Sequence, residues 1–368
     1  MKDNFLNKEI KAPKSRVRKI VLCVLLIILL LAGTVAGCVY YFTKDYNYNK
    51  IEKEPEKLGF EKVKQEQIIN IALFGIDTRS VNSFSGRSDT IMILSLNTKT
   101  NKIKLVSVMR DSFVPIDKKG KITHSKINSA YSSGGPELAI KTLNTVFDLD
   151  ISEYVAVNFY KLADIIDSVG GIEVTLTKNE VEHVNSGAKN IYKVLKKDTS
   201  SLKDVTAGTQ LLNGAQAVSY ARIRYVSNSQ GTTNDYGRTD RQRYIMQQLL
   251  NKVLSMEKTK YIGLIKPILA SCETSLTYGE VLDVAIPLLS EKPQFSETRV
   301  PDTSYIMTPP KTKAGAIVYY DLNFAAKLIH SFIYEDITPE EYIAQKGVEK
   351  NNWYATGFTR PDIQHEGE

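Results

Sequence analysis

The sequence predicts an α/β domain preceded by one membrane-spanning helix. Two observations carry this. Short β-branched apolar runs alternate with helix-period segments from residue 66 to 335, and residues 20–42 form a stretch of 23 residues without a charge. The chain has 368 residues, 42% hydrophobic and 24% charged, which suits one large domain or two small ones.

The N-terminus comes first. Residues 1–19 hold seven Lys/Arg and two acids, which accounts for +5 of the net +7, so the rest of the chain is close to neutral. A diffuse basic surface for nucleic acid is therefore not expected. The segment IVLCVLLIILLLAGTVAGCVYYF at 20–42 is long enough to cross a hydrocarbon core of about 30 Å. The basic tail in front of it places 1–19 in the cytoplasm and the remainder outside the cell. A cleaved signal peptide, or a lipoprotein processing site at Cys38, are alternatives that export the same domain. Residues 43–65 are polar and charge-mixed and read as an extracellular stalk. Cys23 and Cys38 lie in the apolar segment and Cys272 stands alone outside it, so no disulfide and no Cys/His zinc spacing is expected. His124, His183, His330 and His365 are scattered.

Within 66–335, IINIALFGI (68–76), TIMILSLN (90–97) and KIKLVSVM (102–109) read as strands, the last two as a hairpin. Residues 136–149 read as a helix with Pro136 in its first turn. A strand at 154–160, a helix at 161–169 stopped by Gly170-Gly171, and a strand at 172–176 follow. The lysine-rich stretch 177–208 reads as loops. Helices are expected at 213–221 and 241–256, and 336–368 as a polar tail.

Three constellations stand out. Asp77 follows one predicted strand and Asp89 precedes the next, so paired strands would bring both carboxylates to one crevice. Two carboxylates with ligand oxygens and water suit Mg²⁺, although turn aspartates look the same. Arg110 and Asp111 end the hairpin, at a strand end where ligand crevices form, or as a surface ion pair. The stretch YARIRYVSNSQGTTNDYGRTDRQR at 220–243 holds five arginines and no lysine. Arginine offers a flat fork of donors that matches phosphate oxygens two at a time. Arg238, Arg241 and Gln242, at offsets of three and four, would share a face at a helix start, where free N–H groups favour an anion. Arg222 and Arg224 point the same way if extended. Asp235 is placed to orient one guanidinium. With Arg87 and Arg110, the set suggests one pocket for a pyrophosphate, against the plainer reading of a solvated basic face.

These motifs resemble the LytR-CpsA-Psr family of membrane-anchored cell-envelope enzymes. The resemblance rests on GID at 75–77, GRSDT at 86–90, VSVMRD at 106–111, SVGGIEV at 168–174, and LNGAQAVSYARIR with DYGRTDRQR within 212–243. It implies an α/β/α sandwich with a central mixed sheet and an apolar tunnel for a polyprenyl chain. It implies transfer of an anionic glycopolymer (wall teichoic acid or capsule-type polysaccharide) from a polyprenyl-pyrophosphate carrier to peptidoglycan. Asp77 and Asp89 would hold Mg²⁺. Arg87, Arg110, Arg222, Arg224, Arg238, Arg241 and Gln242 would surround the pyrophosphate. Arg110, Asp111 and Asp235 are the candidates for chemistry, Asp111 as activator of the acceptor hydroxyl. Hydrolysis of a prenyl pyrophosphate, glycan binding without catalysis, and envelope regulation remain alternatives. The expected partners are the lipid-linked donor, peptidoglycan and the bilayer.

Overall fold

In the computed structural model the described residues are 44–346, apart from 230, 291–292 and 303–304. The predicted membrane segment at 20–42 lies outside them. No helix among the described residues is long and apolar enough to cross a membrane.

The strands are β1 Asn47–Tyr48, β2 Ile68–Asp77, β3 Arg87–Asn97, β4 Lys102–Val108, β5 Phe113–Lys118 and β6 Lys121–Lys126. They continue as β7 Glu153–Asn158, β8 Ile172–Leu176, β9 Gly208–Leu212, β10 Glu273–Thr274 and β11 Gln294–Val300. The helices are α1 Pro55–Leu58, α2 Asn128–Phe147, α3 Phe159–Ser168, α4 Lys178–Val194 and α5 Gly214–Ala221. After these come α6 Asn234–Ser255, α7 Lys258–Ala270, α8 Tyr278–Ser290, α9 Leu322–Tyr334 and α10 Pro339–Lys346.

Seven strands form one mixed sheet in the order β1-β10-β7-β2-β3-β4-β11. The predicted hairpin is the antiparallel β3–β4 pair, whereas β2–β7 and β4–β11 run parallel. Side chains alternate across a strand, so both faces of β2 are apolar and both are covered. Ala72, Phe74 and Ile76 pack with Ile140, Leu143 and Phe147 of α2 and with Ile329 and Phe332 of α9. Ile71 and Leu73, on the other face, pack with Leu250 of α6 and Val281 of α8. The result is helices on both faces of a central sheet, as expected.

Three local readings are corrected. Residues 47–65 are not a free stalk. β1 pairs with β10, and Ile51 and Leu58 belong to the main core, Leu58 with no exposed surface. Residues 178–194 are helix rather than loop. Thr177 and Glu180 form a capping box, and Val184, Ala188 and Ile191 supply the buried stripe. The tail reading fails at its start, because α10 brings Tyr342 and Ile343 against Tyr305, Phe324 and Leu328. The helix expected from 136 exists, but α2 starts earlier, with a kink at Gly134-Gly135 (φ 68° at Gly135). Pro136 sits directly after that kink, where a missing N–H costs little.

The burial of Leu58 gives a test. Leu58→Ala should lower unfolding stability by about 2–5 kcal/mol, as for a large-to-small core substitution. Urea unfolding reads this directly; a solvated stalk residue would change nothing.

Candidate functional site

The β2–β3 pair carries an irregularity at its end. Gly75 lies opposite Thr90 but Ile76 lies opposite Ser88, so Asp89 is the extra residue of a bulge. A bulge re-aims its side chain and bends the strand. Asp89 is turned inward and is 9% exposed. The returning loop is tight there. A Cβ on Gly86 (φ +153°) would sit 2.6 Å from the carbonyl oxygen of Asp77.

Arg110, just beyond β4, meets Asp89. Its Nη1 donates to Asp89 Oδ2 at 2.6 Å, and its Nε and Nη2 donate to Asp235 at 3.0 and 3.4 Å. Arg110 thus links strand β3 to the first turn of α6. Two more arginines close round the same acids. Arg238 lies 3.7 Å from Asp89 and 3.4 Å from Asp235, and Arg224 lies 3.7 and 3.8 Å from them. Asp111 sits 3.5 Å from Arg110 and 2.9 Å from Lys126 Nζ. Asn128 approaches Asp89 Oδ1 at 3.4 Å.

The electrostatics follow from crowding. Burial, then Arg110 and Arg224, pull Arg238 down to about 10. Burial alone would lower Arg110 too, but Asp89, Asp111 and Asp235 outweigh it and the pKa rises. Burial raises Asp111, helped by its hydrogen bond to Asp235. Asp235 goes the other way. Its burial penalty is overcome by the bond from Asp111 and by Arg238 and Arg110.

The remaining predicted residues are placed differently. Asp77 and Arg87 face each other across the β2–β3 ends, both exposed. Neither has an ion pair among the described residues. Arg222 caps α5 and stacks 4.4 Å from the Phe159 ring. Gln242 is buried on α6, one turn beyond Arg238. Arg241 is not part of the pocket. It is 1% exposed, its Nε donates to Glu180 at 2.8 Å, and its Nη atoms donate to the carbonyls of Ile223 and Val226. The reason is helical rotation: α6 begins at Asn234, a full turn and more before 241, so Arg238 and Gln242 share a stripe while Arg241 turns away to the interior. The free N–H groups of the helix start likewise lie near Asp235 rather than Arg241. Lys126 and Asn128 carried no sequence signal, since each depends on the β5–β6 hairpin folding back. Among the described residues no three His, Cys, Asp or Glu side chains gather as a metal cage.

Beside this cluster opens an apolar cavity of about 250 Å³ between the sheet and helices α3, α6 and α7. Leu73, Met92 and Val155 form its floor, Phe159 and Leu162 one wall, and Ile245, Met246, Leu249 and Val253 the other. Gln242, Thr90 and Asn158 are the polar residues in its lining. From Gln242 to Val253 the wall runs about 16 Å along α6, at about 1.5 Å per residue. The stripe Ile245, Leu249 and Val253 is legible in the sequence; that it lines a void and not a filled core is not.

The Arg241 assignment is testable. Arg241→Ala leaves Glu180 buried and unpaired, which should cost about 3–5 kcal/mol of stability in denaturant unfolding. A partly exposed pocket arginine, such as Arg224, should cost under about 1 kcal/mol when replaced by Ala.

Comparison with known proteins follows this geometry. A teichoic acid transferase TagU of Bacillus cereus (strain AH820), named polyisoprenyl-teichoic acid–peptidoglycan teichoic acid transferase, is 33% identical over 225 residues. That match covers 61% of this chain and 66% of the relative, just under two thirds of its length. The TagU of Enterococcus faecalis (strain ATCC 700802 / V583) is 28% identical over 288 residues, covering 77% of this chain and 86% of that protein. A solved LytR-CPS2A-psr family protein, YwtF (TagT) with bound octaprenyl pyrophosphate lipid, shares the fold with a TM-score of 0.54 and 20% identity, over 78% of this chain and 99% of that one. The model of the LytR_cpsA_psr family matches residues 37–327, and the protein belongs to that family.

Proposed function

We propose that the protein transfers an anionic glycopolymer, wall teichoic acid or capsule-type polysaccharide, from a polyprenyl-pyrophosphate carrier to peptidoglycan at the outer face of the membrane. Residues 20–42 would anchor it. One observation carries the reading: a cationic cluster built on partly buried acids opens beside an apolar cavity, and helix α6 contributes to both. A pyrophosphate with a long hydrocarbon tail has that same division of chemistry. The TagU relatives are named for this reaction, and the YwtF structure for such a lipid.

The residues divide the work. The apolar cavity takes the prenyl chain, at about 0.8 kcal/mol per buried CH₂. Arg110, Arg224 and Arg238 face the phosphoryl oxygens, with Arg87 and Arg222 at the rim and Gln242 at the cavity end. Charge spreads over these oxygens in the transition state, so positioned cations are the main catalytic means. The acceptor hydroxyl oxygen attacks the glycan-side phosphorus, and its proton passes to Asp111. The bond to the bridging oxygen breaks and polyprenyl phosphate leaves with the electron pair. Asp235 holds Arg110 by two hydrogen bonds. Asp77 and Asp89 suit Mg²⁺ by donor type. Asp77 carries no ion pair among the described residues, and two carboxylates with phosphate oxygens and water are what Mg²⁺ favours. When bound, the ion would neutralise pyrophosphate charge as a Lewis acid.

Two outcomes test this. A base must be deprotonated, and Asp111 is raised, so transfer should be full above that pKa and fall as pH drops through it, at a higher pH than an ordinary aspartate would show. Asp111→Asn should remove that limb and lower kcat by about 10²–10⁴-fold; an unchanged pH profile would refute the role. Met246→Trp, which fills the cavity, should weaken octaprenyl pyrophosphate binding by about tenfold or more while leaving inorganic pyrophosphate binding intact. Equal effects on both ligands would place the lipid elsewhere.

A further inference from the structure

A second cavity, of about 310 Å³, opens at the end of edge strand β11. Arg243, Glu297, Arg299, Asp302, Tyr305 and Tyr320 are among its lining residues. It adjoins the ion cluster. β4 and β11 run parallel with Val300 beside Val108, so the cavity opens at the strand ends from which Arg110 and Asp111 emerge. The Tyr320 hydroxyl donates to Ser112 Oγ at 2.9 Å, one residue past Asp111. Arg299 lies 5.0 Å from the ring of Tyr236, one residue past Asp235. Helix α6 serves both places. Asp235, Arg238 and Gln242 lie on one stripe, and Tyr236, Asp240 and Arg243, at offsets of four and three, lie on the next.

Two features point to a ligand and to its class. Arg243 Nε, Arg299 Nε, Glu297 Oε2 and Tyr236 Oη are buried without a hydrogen-bond partner. Such groups are rare in folded proteins and costly, and here three of them belong to residues that line the cavity, with Tyr236 packed against Arg299. The charges, however, are already matched. Asp240 Oδ1 takes Arg243 at 2.9 Å and Arg299 at 2.7 Å, and Glu297 and Asp302 add further negative charge to the wall. A polyanion gains nothing here, in contrast to the Arg110 cluster. Uncharged hydroxyl and amide groups, against tyrosine walls, do.

The position agrees with the direction of the reaction. Across the sheet the order is β7-β2-β3-β4-β11. The apolar cavity lies over β7, β2 and β3, the ion cluster at the ends of β3 and β4, and the second cavity at β11. An in-line displacement needs the nucleophile on the side opposite the leaving lipid phosphate. We propose that the β11 cavity seats an uncharged acetamido-sugar ring of the acceptor glycan, flanking the sugar whose hydroxyl reacts. This inference rests on the transfer reading above.

The test uses the full-length protein in detergent and peptide-free glycan strands prepared from peptidoglycan. Calorimetry should detect strand binding that Thr298→Trp, which fills the cavity from β11, weakens at least tenfold. Octaprenyl pyrophosphate binding should stay unchanged, which shows that the variant is folded. Should Thr298→Trp lose lipid binding as well, Glu297→Gln decides in its place, because it keeps the shape and should still weaken strand binding several-fold. A poly(glycerol phosphate) oligomer should not compete. Strand binding unaffected by the deciding variant, or displaced by that oligomer, overturns the assignment. Strand binding that behaves as expected in a protein that makes no linked product supports the cavity and counts against transfer. Transfer with an unchanged acceptor KM in the deciding variant does the reverse.

Discussion

Arg110 is the constraint on which the site depends. Its guanidinium binds Asp89 on a strand bulge and Asp235 on the first turn of α6, and so ties the sheet to the helix that walls the apolar cavity. Two further arginines crowd the same acids, and Lys126 pairs with the adjoining Asp111. Such a cluster is a poor stability device, since desolvation of several charges offsets much of their attraction. It is instead an arrangement short of negative charge. Burial, then Arg110 and Arg224, hold Arg238 below its ordinary value, and a bound anion would act in the opposite direction.

One helix separates three tasks by rotation. Along α6, Asp235 and Arg238 face the ion cluster, Ile245, Met246 and Leu249 face the cavity, and Arg241 faces inward to Glu180. Glu180 does two things at once. One oxygen accepts from the Thr177 amide to cap α4, and the other accepts from Arg241. The helix that positions the clamp is therefore locked by a capping residue of a neighbour, and rigid support is what a site working by positioned charge requires.

Much of this is legible in the sequence. TIMILSLN and KIKLVSVM are strands by composition and period, and the turn between them fixes their pairing. Asp89 and Arg110 can be placed at strand ends, because buried runs stop beside them, whereas Asp235 falls in the first turn of a helix that the sequence starts only at 241. Arg241 cannot be assigned from its neighbourhood, since one step along a helix turns a side chain by about 100° and only the partner decides which arginine goes inward. That partner lay in a stretch read as loop, although TKNE is a capping signature and Val184, Ala188 and Ile191 have helical spacing. Residues 47–65 give less warning. β1 and β10 have two residues each, too few to show a period, and Leu58 is a lone core residue among charges. The β11 cavity is not legible at all, because it joins residues from α6, β11 and the chain beyond it.

The most direct test of the account is a transfer reaction with the full-length protein, Mg²⁺, a short anionic glycan on a prenyl pyrophosphate, and uncrosslinked peptidoglycan, read by mass spectrometry. The account predicts a phosphodiester-linked glycan–peptidoglycan product that Asp89→Ala and Arg238→Ala both abolish. Release of free glycan phosphate without linkage, or a linked product that survives both substitutions, would contradict it.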